Sequence, residues 1–289
     1  MITIHNISKT YHGDVQALRG LELEIGAGMF GLVGPNGAGK TTLMRILAGL
    51  VTPSAGTAII FGHDVTTAEG KQAVKSLLGY LPQELGLYPE LSGREFLDYV
   101  GRLKGISDAR ARRQQIDELL VLVRLEEAAN RRLKTYSGGM KRRIGIAQAL
   151  LGDPRLLIVD EPTAGLDPEE RVRLRNLLGE MSRRCAVILS THIIEDINLS
   201  CSALAVLNKG KLLYHGAPRD LIAQARGKVW NILTDGEQTD SGLVIVSTQH
   251  MAEGLQYRVI GEPAQDYRAS LVEPSLEDSY LWLMQHTSP

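Results

Sequence analysis

Residues 34–42 read GPNGAGKTT and follow directly on the apolar run MFGLV at 29–33. Gly34, Gly39, Lys40 and Thr41 satisfy the spacing G-x-x-x-x-G-K-[ST] of a glycine-rich phosphate loop. The apolar run predicts a short buried strand. Beyond the loop, Leu43, Ile46, Leu47 and Leu50 recur at i, i+3, i+4 and i+7, which predicts one buried helix face. Strand, tight loop and helix in this order make an α/β fold with a parallel sheet the expected class. The residue types explain the chemistry. Gly34, Gly37 and Gly39, with Pro35, Asn36 and Ala38 between them, let backbone N–H groups converge on phosphate oxygens. The helix that follows aims its partial positive end at the same anion. Lys40 adds a full charge, Thr41 offers a hydroxyl to Mg²⁺, and Thr42 completes the first turn.

A second feature fits the first. Residues 156–161 read LLIVDE, and four apolar residues in a row predict a central parallel strand covered on both faces. Such strands present ligand-binding residues at their carboxyl ends, where Asp160 and Glu161 fall. Neighbouring strand residues face opposite ways, so the two acids are expected to have separate tasks. Asp160 suits holding Mg²⁺, and Glu161 suits orienting or deprotonating a water that attacks a γ-phosphate. A GTPase would add an Asn-Lys-x-Asp motif for base recognition. The nearest stretch, Asn208-Lys209-Gly210-Lys211, has lysine where the carboxylate is required.

Between these features lies TYSGGMKRR, residues 135–143. Ser137 suits a helix N-cap, and Met140, Ile144, Ala147 and Leu151 predict the apolar stripe of the helix it starts. Gly138 and Gly139 leave that N-terminus bare, as a second anion site. A chain with one phosphate cradle has little use for a second γ-phosphate site of its own.

The order of phosphate loop, Gln83 in YLPQE, SGG helix, DE strand and His192 in ILSTHIIED resembles the nucleotide-binding subunit of ABC transporters over residues 1–220. The resemblance implies an ABC-type P-loop NTPase with a RecA-like core and a helical subdomain at about 84–153. It implies a dimer with a second nucleotide-binding subunit, here a second copy, in which Ser137, Gly138 and Gly139 of one chain cap ATP held by the other. It also implies Tyr11 stacked on adenine, Gln83 sensing Mg²⁺ and the lytic water, Asp167 of AGLDP crossing the dimer interface, and His192 touching the γ-phosphate. Structural alternatives exist for these: a strand-end tyrosine, a helix N-cap at Asp167 before Pro168, and a turn histidine. The family's usual glutamine after SGG is Met140 here. Implied partners are a transmembrane permease, with the chain peripheral on the inner face of the plasma membrane. The SGGMKRR variant and the appended tail resemble the exporter-like branch that handles drugs, lipids or polysaccharides.

Composition sets the remaining bounds. Net charge is −1 and hydrophobic content 44%, which suits a soluble globular chain. Residues 101–143 carry 12 Lys/Arg against 5 Asp/Glu, but without interleaved aromatics, so solvated helix faces are expected and no nucleic-acid partner. Cys185 and Cys201 lack metal-ligand spacing and are expected to be reduced thiols. The alternating run ITIHNIS from residue 2 predicts a strand, so no secretion signal is expected, and no apolar run is long enough to span a bilayer.

Leu87, Tyr88, Leu91, Phe96 and Tyr99 offer apolar surface, of which at least one or two residues are expected to meet a partner helix. An ABC ATPase unit at 1–226 and a small α+β appendage at 227–289 are expected. The appendage carries strands in KVWNILT, GLVIVST and GLQYRVI and a helix capped by Ser275, with Glu277 and Asp278 near its positive end. Two other classes compete with the transporter subunit: a soluble ABC-type ATPase acting on ribosomes or DNA, and a non-hydrolysing regulatory subunit.

Overall fold

The computed structural model describes residues 1–163, 165–235, 242–252, 254–263 and 268–287. Its first layer is an antiparallel sheet of β1 (Ile2–Tyr11), β2 (Val15–Ile25), β4 (Ala55–Ile60) and β5 (His63–Asp64), in the order β2-β1-β4-β5. Ile2 and Ile4 face inward by simple alternation. A bulge at Asn6, in the left-handed region at φ 47°, then shifts the register so that Ile7 is the next buried residue.

The central sheet holds β3 (Met29–Val33), β6 (Leu78–Leu81), β7 (Leu156–Asp160), β8 (Ala186–Ser190), β9 (Ala203–Asn208) and β10 (Lys211–Gly216). Their order is β10-β9-β3-β8-β7-β6, parallel throughout except for the antiparallel edge strand β10. Every residue of β3, β7 and β8 is buried, as expected for strands covered on both faces. The pleat divides them between two cores. Phe30, Leu32 and Ile158 face the antiparallel sheet and the first helix, whereas Met29, Val33, Leu157 and Val159 face the later helices.

Helix α1 (Lys40–Leu47) buries Leu43, Ile46 and Leu47 as expected, but Leu50 is 57% exposed. The helix stops before Leu50: Ala48 caps it, and Gly49 at φ 67° turns the chain outward. After α2 (Ala68–Leu77) the chain builds a helical unit of α3 (Gly93–Leu103), α4 (Ala109–Leu122) and α5 (Gly138–Leu150). Each start has a side-chain cap: Ser92 with Glu95 in a reciprocal box, Asp108, and Ser137. Of the expected apolar surface, Phe96 is core and Leu87 and Leu91 pack against it. Tyr88 and Tyr99 stay 50% and 41% exposed, edge to face at 5.4 Å.

Helices α6 (Pro168–Met181), α7 (Ile194–Ser200) and α8 (Pro218–Gln224) complete this part. The last segment forms a third sheet from β11 (Val229–Thr234), β12 (Val244–Met251), β13 (Gly254–Ile260) and β14 (Arg268–Leu271), in the order β12-β13-β11-β14. Helix α9 (Leu276–His286) then leans on α8 and α7 and inserts Leu276 and Leu283 into the large core. Ser275 caps α9, with Asp278 as its reciprocal partner, and Arg258 of β13 grips the same carboxylate. No described helix is long and apolar enough to cross a membrane.

Candidate active site

Strand order assembles the site. β3, β8, β7 and β6 are consecutive parallel neighbours, so the loops leaving their carboxyl ends lie side by side. Those four ends lead into the 34–39 loop, His192, Glu161 and Gln83.

The loop at 34–39 is a cradle that a larger residue would fill. A Cβ on Gly34, at φ 153°, would meet the Leu207 carbonyl oxygen at 2.2 Å. One on Gly39, at φ 106°, would meet the Ala17 carbonyl oxygen at 2.6 Å. Pro35, Asn36 and Gly37 form the exposed rim, and Ala38 is buried beneath them. The Ala38 carbonyl accepts from the Gly210 N–H at 3.0 Å. Asn208–Lys211, which fails as a base-reading motif, is therefore a tight hairpin turn supporting the cradle. Its central residues Lys209 and Gly210 both have positive φ. Lys40 is folded back, donating to the Gly34 and Pro35 carbonyls at 2.6 and 3.2 Å, with its Nζ 4.0 Å from Glu161 Oε1. Burial pulls the Lys40 pKa down, against the pull of Glu161 and Asp160.

Strand alternation does not govern the two acids. β7 ends at Asp160, and Glu161 adopts the left-handed region at φ 49°, anchored by its N–H to the Ser190 carbonyl at 3.0 Å. The turn, not the pleat, sets where the Glu161 side chain goes. Glu161 Oε2 shares a 2.5 Å hydrogen bond with His192 Nδ1. With a carboxylate as partner, the imidazole hydrogen belongs on Nδ1.

Asp160 is 1% exposed, and neither carboxylate oxygen accepts a well-formed hydrogen bond. Burial raises its pKa and prevails over the Thr41 and Ser190 hydroxyls and the Lys40 charge. A buried carboxylate without a well-formed hydrogen bond, beside a threonine hydroxyl, is a hard-oxygen set that suits a small divalent cation such as Mg²⁺.

The other expected residues occupy the surroundings. Gln83 is exposed just past β6, with its backbone carbonyl accepting from Arg142. Tyr11 ends β1, 40% exposed, and pairs with Val15, two residues before the Ala17 that abuts Gly39. Thr42 lies in the first turn of α1, half-buried. Ser137 and Gly138 are exposed at the start of α5, where Ser137 Oγ accepts the Met140 N–H at 3.2 Å. Gly139 packs beside Glu170. Asp167 caps α6 by accepting from the Glu170 N–H at 2.8 Å, with Pro168 at the first helical position. Ala164 of AGLDP lies outside the described residues.

Sequence reasoning missed Arg142. It is 7% exposed and its guanidinium spans the base of the site. The signal was present: Arg142, Gly145, Ile146 and Ala149 fall at i, i+3, i+4 and i+7, so a cation heads a buried stripe. The two thiols take no part. Burial raises both, Cys201 to about 12 with Asp196 contributing, so neither is a thiolate at neutral pH.

A phosphate cradle, a paired lysine and carboxylate, and an acid–histidine dyad on adjacent strand ends define a nucleoside-triphosphate hydrolase site. The sequence matches the ABC transporter family profile over residues 18–164. An uncharacterized ABC transporter ATP-binding protein of Bacillus subtilis, YxlF, is 36% identical over 233 residues, 80% of this chain and 76% of that one. The daunorubicin resistance ATP-binding protein DrrA3 of Streptomyces coeruleorubidus is 34% identical over 276 residues, 93% and 85% of the two chains. Among solved structures, the dimeric post-hydrolysis state of the ATP-binding cassette MJ0796 with ADP and Pi superposes with a TM-score of 0.69. It is 25% identical and covers 75% of this chain and 98% of that one. The chain belongs to the ABC transporter ATP-binding family and carries its ATPase domain.

Proposed function

We propose that this chain hydrolyses ATP as one half of a dimer of identical chains and so powers export by a separate transmembrane permease. The observation that carries the catalytic part is the convergence of cradle, Lys40, Asp160, Glu161 and His192 at the ends of three neighbouring strands, β3, β8 and β7. The 34–39 amides and Lys40 bind the triphosphate, and Tyr11 stacks on the base. Thr41, Asp160 and Gln83 are the residues that would hold Mg²⁺, which when bound neutralises charge on the β- and γ-phosphate oxygens. Glu161 takes a proton from the attacking water as the new P–O bond forms and the bond to the β-bridging oxygen breaks, leaving ADP and phosphate. His192 holds Glu161 in place through Nδ1.

The exposed Ser137–Gly138 helix start supports the dimer, because the first N–H groups of a helix lack intrahelical partners and are available to a second chain's nucleotide. Asp167 at the head of α6 lies on the same interface. The drug-resistance name of DrrA3 supports export. Tyr88 and Tyr99 form the surface on which the permease docks, which would place the chain on the cytoplasmic face of the plasma membrane. The ATPase unit is assigned to 1–226, with its helical subdomain at about 84–153, and the accessory unit to 227–289. The test is Glu161→Gln: kcat for ATP falls about 10²- to 10⁴-fold while ATP still binds. Wild-type turnover in that variant contradicts the assignment.

A further inference from the structure

Arg142 uses its whole hydrogen-bonding capacity on backbone carbonyls. Its Nε donates to Pro162 O at 2.9 Å, Nη1 to Pro82 O and Gln83 O at 3.0 and 3.1 Å, and Nη2 to Asp160 O and Glu161 O at 2.8 and 2.5 Å. Five N–H hydrogens thus meet five carbonyls, a match that only a planar guanidinium provides. The carbonyls belong to two separate loops, one bearing Gln83 and the other bearing Glu161. The second loop is held on both sides of a residue in the left-handed region, Glu161 at φ 49°. Arg142 itself is rooted in α5, five residues after the Ser137 cap. One buried side chain therefore fastens the start of α5, the Gln83 loop and the Glu161 turn into a single unit.

We infer that Arg142 is a positioning residue for hydrolysis: it transmits the position of the Ser137 helix to Gln83 and Glu161, so that seating this helix on nucleotide aligns the chain's own water-activating groups. The inference rests on the dimeric ATPase reading above and adds a route by which one site of the dimer informs the other. Its described hydrogen bonds all end on carbonyls, while the nearby Asp160 and Glu161 charges favour its cationic form, so its fork geometry and its charge are both in use. Arg143, the next residue, serves as a contrast. It donates to Val123 O and Arg124 O and pairs with Glu170, and touches neither loop.

The experiment compares Arg142→Lys and Arg142→Met with Arg143→Lys. Each is assayed for kcat, for the Hill coefficient of ATP turnover, for binding of a fluorescent ATP analogue, and for melting temperature. Arg142→Lys keeps the charge and loses the five-point match. It is expected to retain nucleotide binding within about twofold, to lose kcat by roughly ten- to a hundredfold, and to lose cooperativity in ATP. Arg142→Met is expected to lose at least as much, and Arg143→Lys to behave as wild type. Wild-type kcat and Hill coefficient in Arg142→Lys overturn the inference. So does a loss of kcat matched by equal losses in binding and melting temperature, since that pattern marks a structural role alone. Failure of the underlying reading is separable, because it leaves Glu161→Gln as active as wild type.

Discussion

Replacing Gly34 by alanine puts a methyl carbon 2.2 Å from the Leu207 carbonyl oxygen and 3.0 Å from Ala38 Cβ, in a backbone conformation at φ 153° that favours glycine. Leu207 lies in β9, inside the core and hydrogen-bonded to β10, so the loop moves rather than the strand. The retreat needed is about 1 Å, and a shift of that size in a positioning element costs about 10²-fold in rate. That is about 2.7 kcal/mol of transition-state stabilisation. The backbone strain adds about 1–3 kcal/mol to the folded state, which for a unit of this size lowers Tm by roughly 2–12 °C. Gly62→Ala is the control. Gly62 also has positive φ, 89°, but a Cβ there meets nothing within 4 Å, and the residue lies between β4 and β5, away from the cradle. Phosphate-release kinetics and thermal melts on both variants separate the two effects. Both should melt earlier, and only Gly34→Ala should lose turnover. Equal turnover in the two variants would refute the claim that close approach to Leu207 shapes the phosphate cradle.

Asp278 is fully buried; burial raises its pKa, but Arg258 and Ser275 more than offset that and leave it below the ordinary carboxylate range. Its contribution is therefore present above the unfolded value near 3.9 and is lost as pH falls through the lower folded value. The only two tryptophans, Trp230 and Trp282, both lie in this last segment. Their fluorescence should report its loosening at acid pH, and Asp278→Asn should reproduce that loosening at pH 7 at a cost of about 3 kcal/mol. Phe96→Ala, at a fully buried site, should cost about 3–5 kcal/mol in urea unfolding. Tyr88→Ala, half exposed but edge to face with Tyr99, should cost about 0.5–1.5 kcal/mol on the chain alone and lose activity only with the permease present.

The parallel core was legible because strands buried on both faces have little choice of residue: MFGLV and LLIVD are uninterrupted apolar runs. The phosphate loop was legible for a related reason, since backbone approach and positive φ exclude most side chains at Gly34 and Gly39. Local signals were weaker where one residue decided the outcome. Leu50 continued the helical period, but Gly49 ended the helix first. Glu161 reads as a strand residue and lies in a turn past β7, because a left-handed glutamate leaves no signature in the sequence. β14 escaped notice because RASL is four residues long with three of them exposed. Arg142 was hidden inside a cationic run that reads as a solvated face. Only its phase relative to Gly145, Ile146 and Ala149 marks it as buried.

The central claim is that two chains enclose each triphosphate, and the most direct measurement is mass in solution. Glu161→Gln with saturating ATP and Mg²⁺ should elute by light scattering at twice the 31.6 kDa of one chain. Adding Ser137→Arg should return the mass to that of one chain while the fluorescent ATP analogue still binds. A single-chain mass for Glu161→Gln with ATP bound would contradict the account.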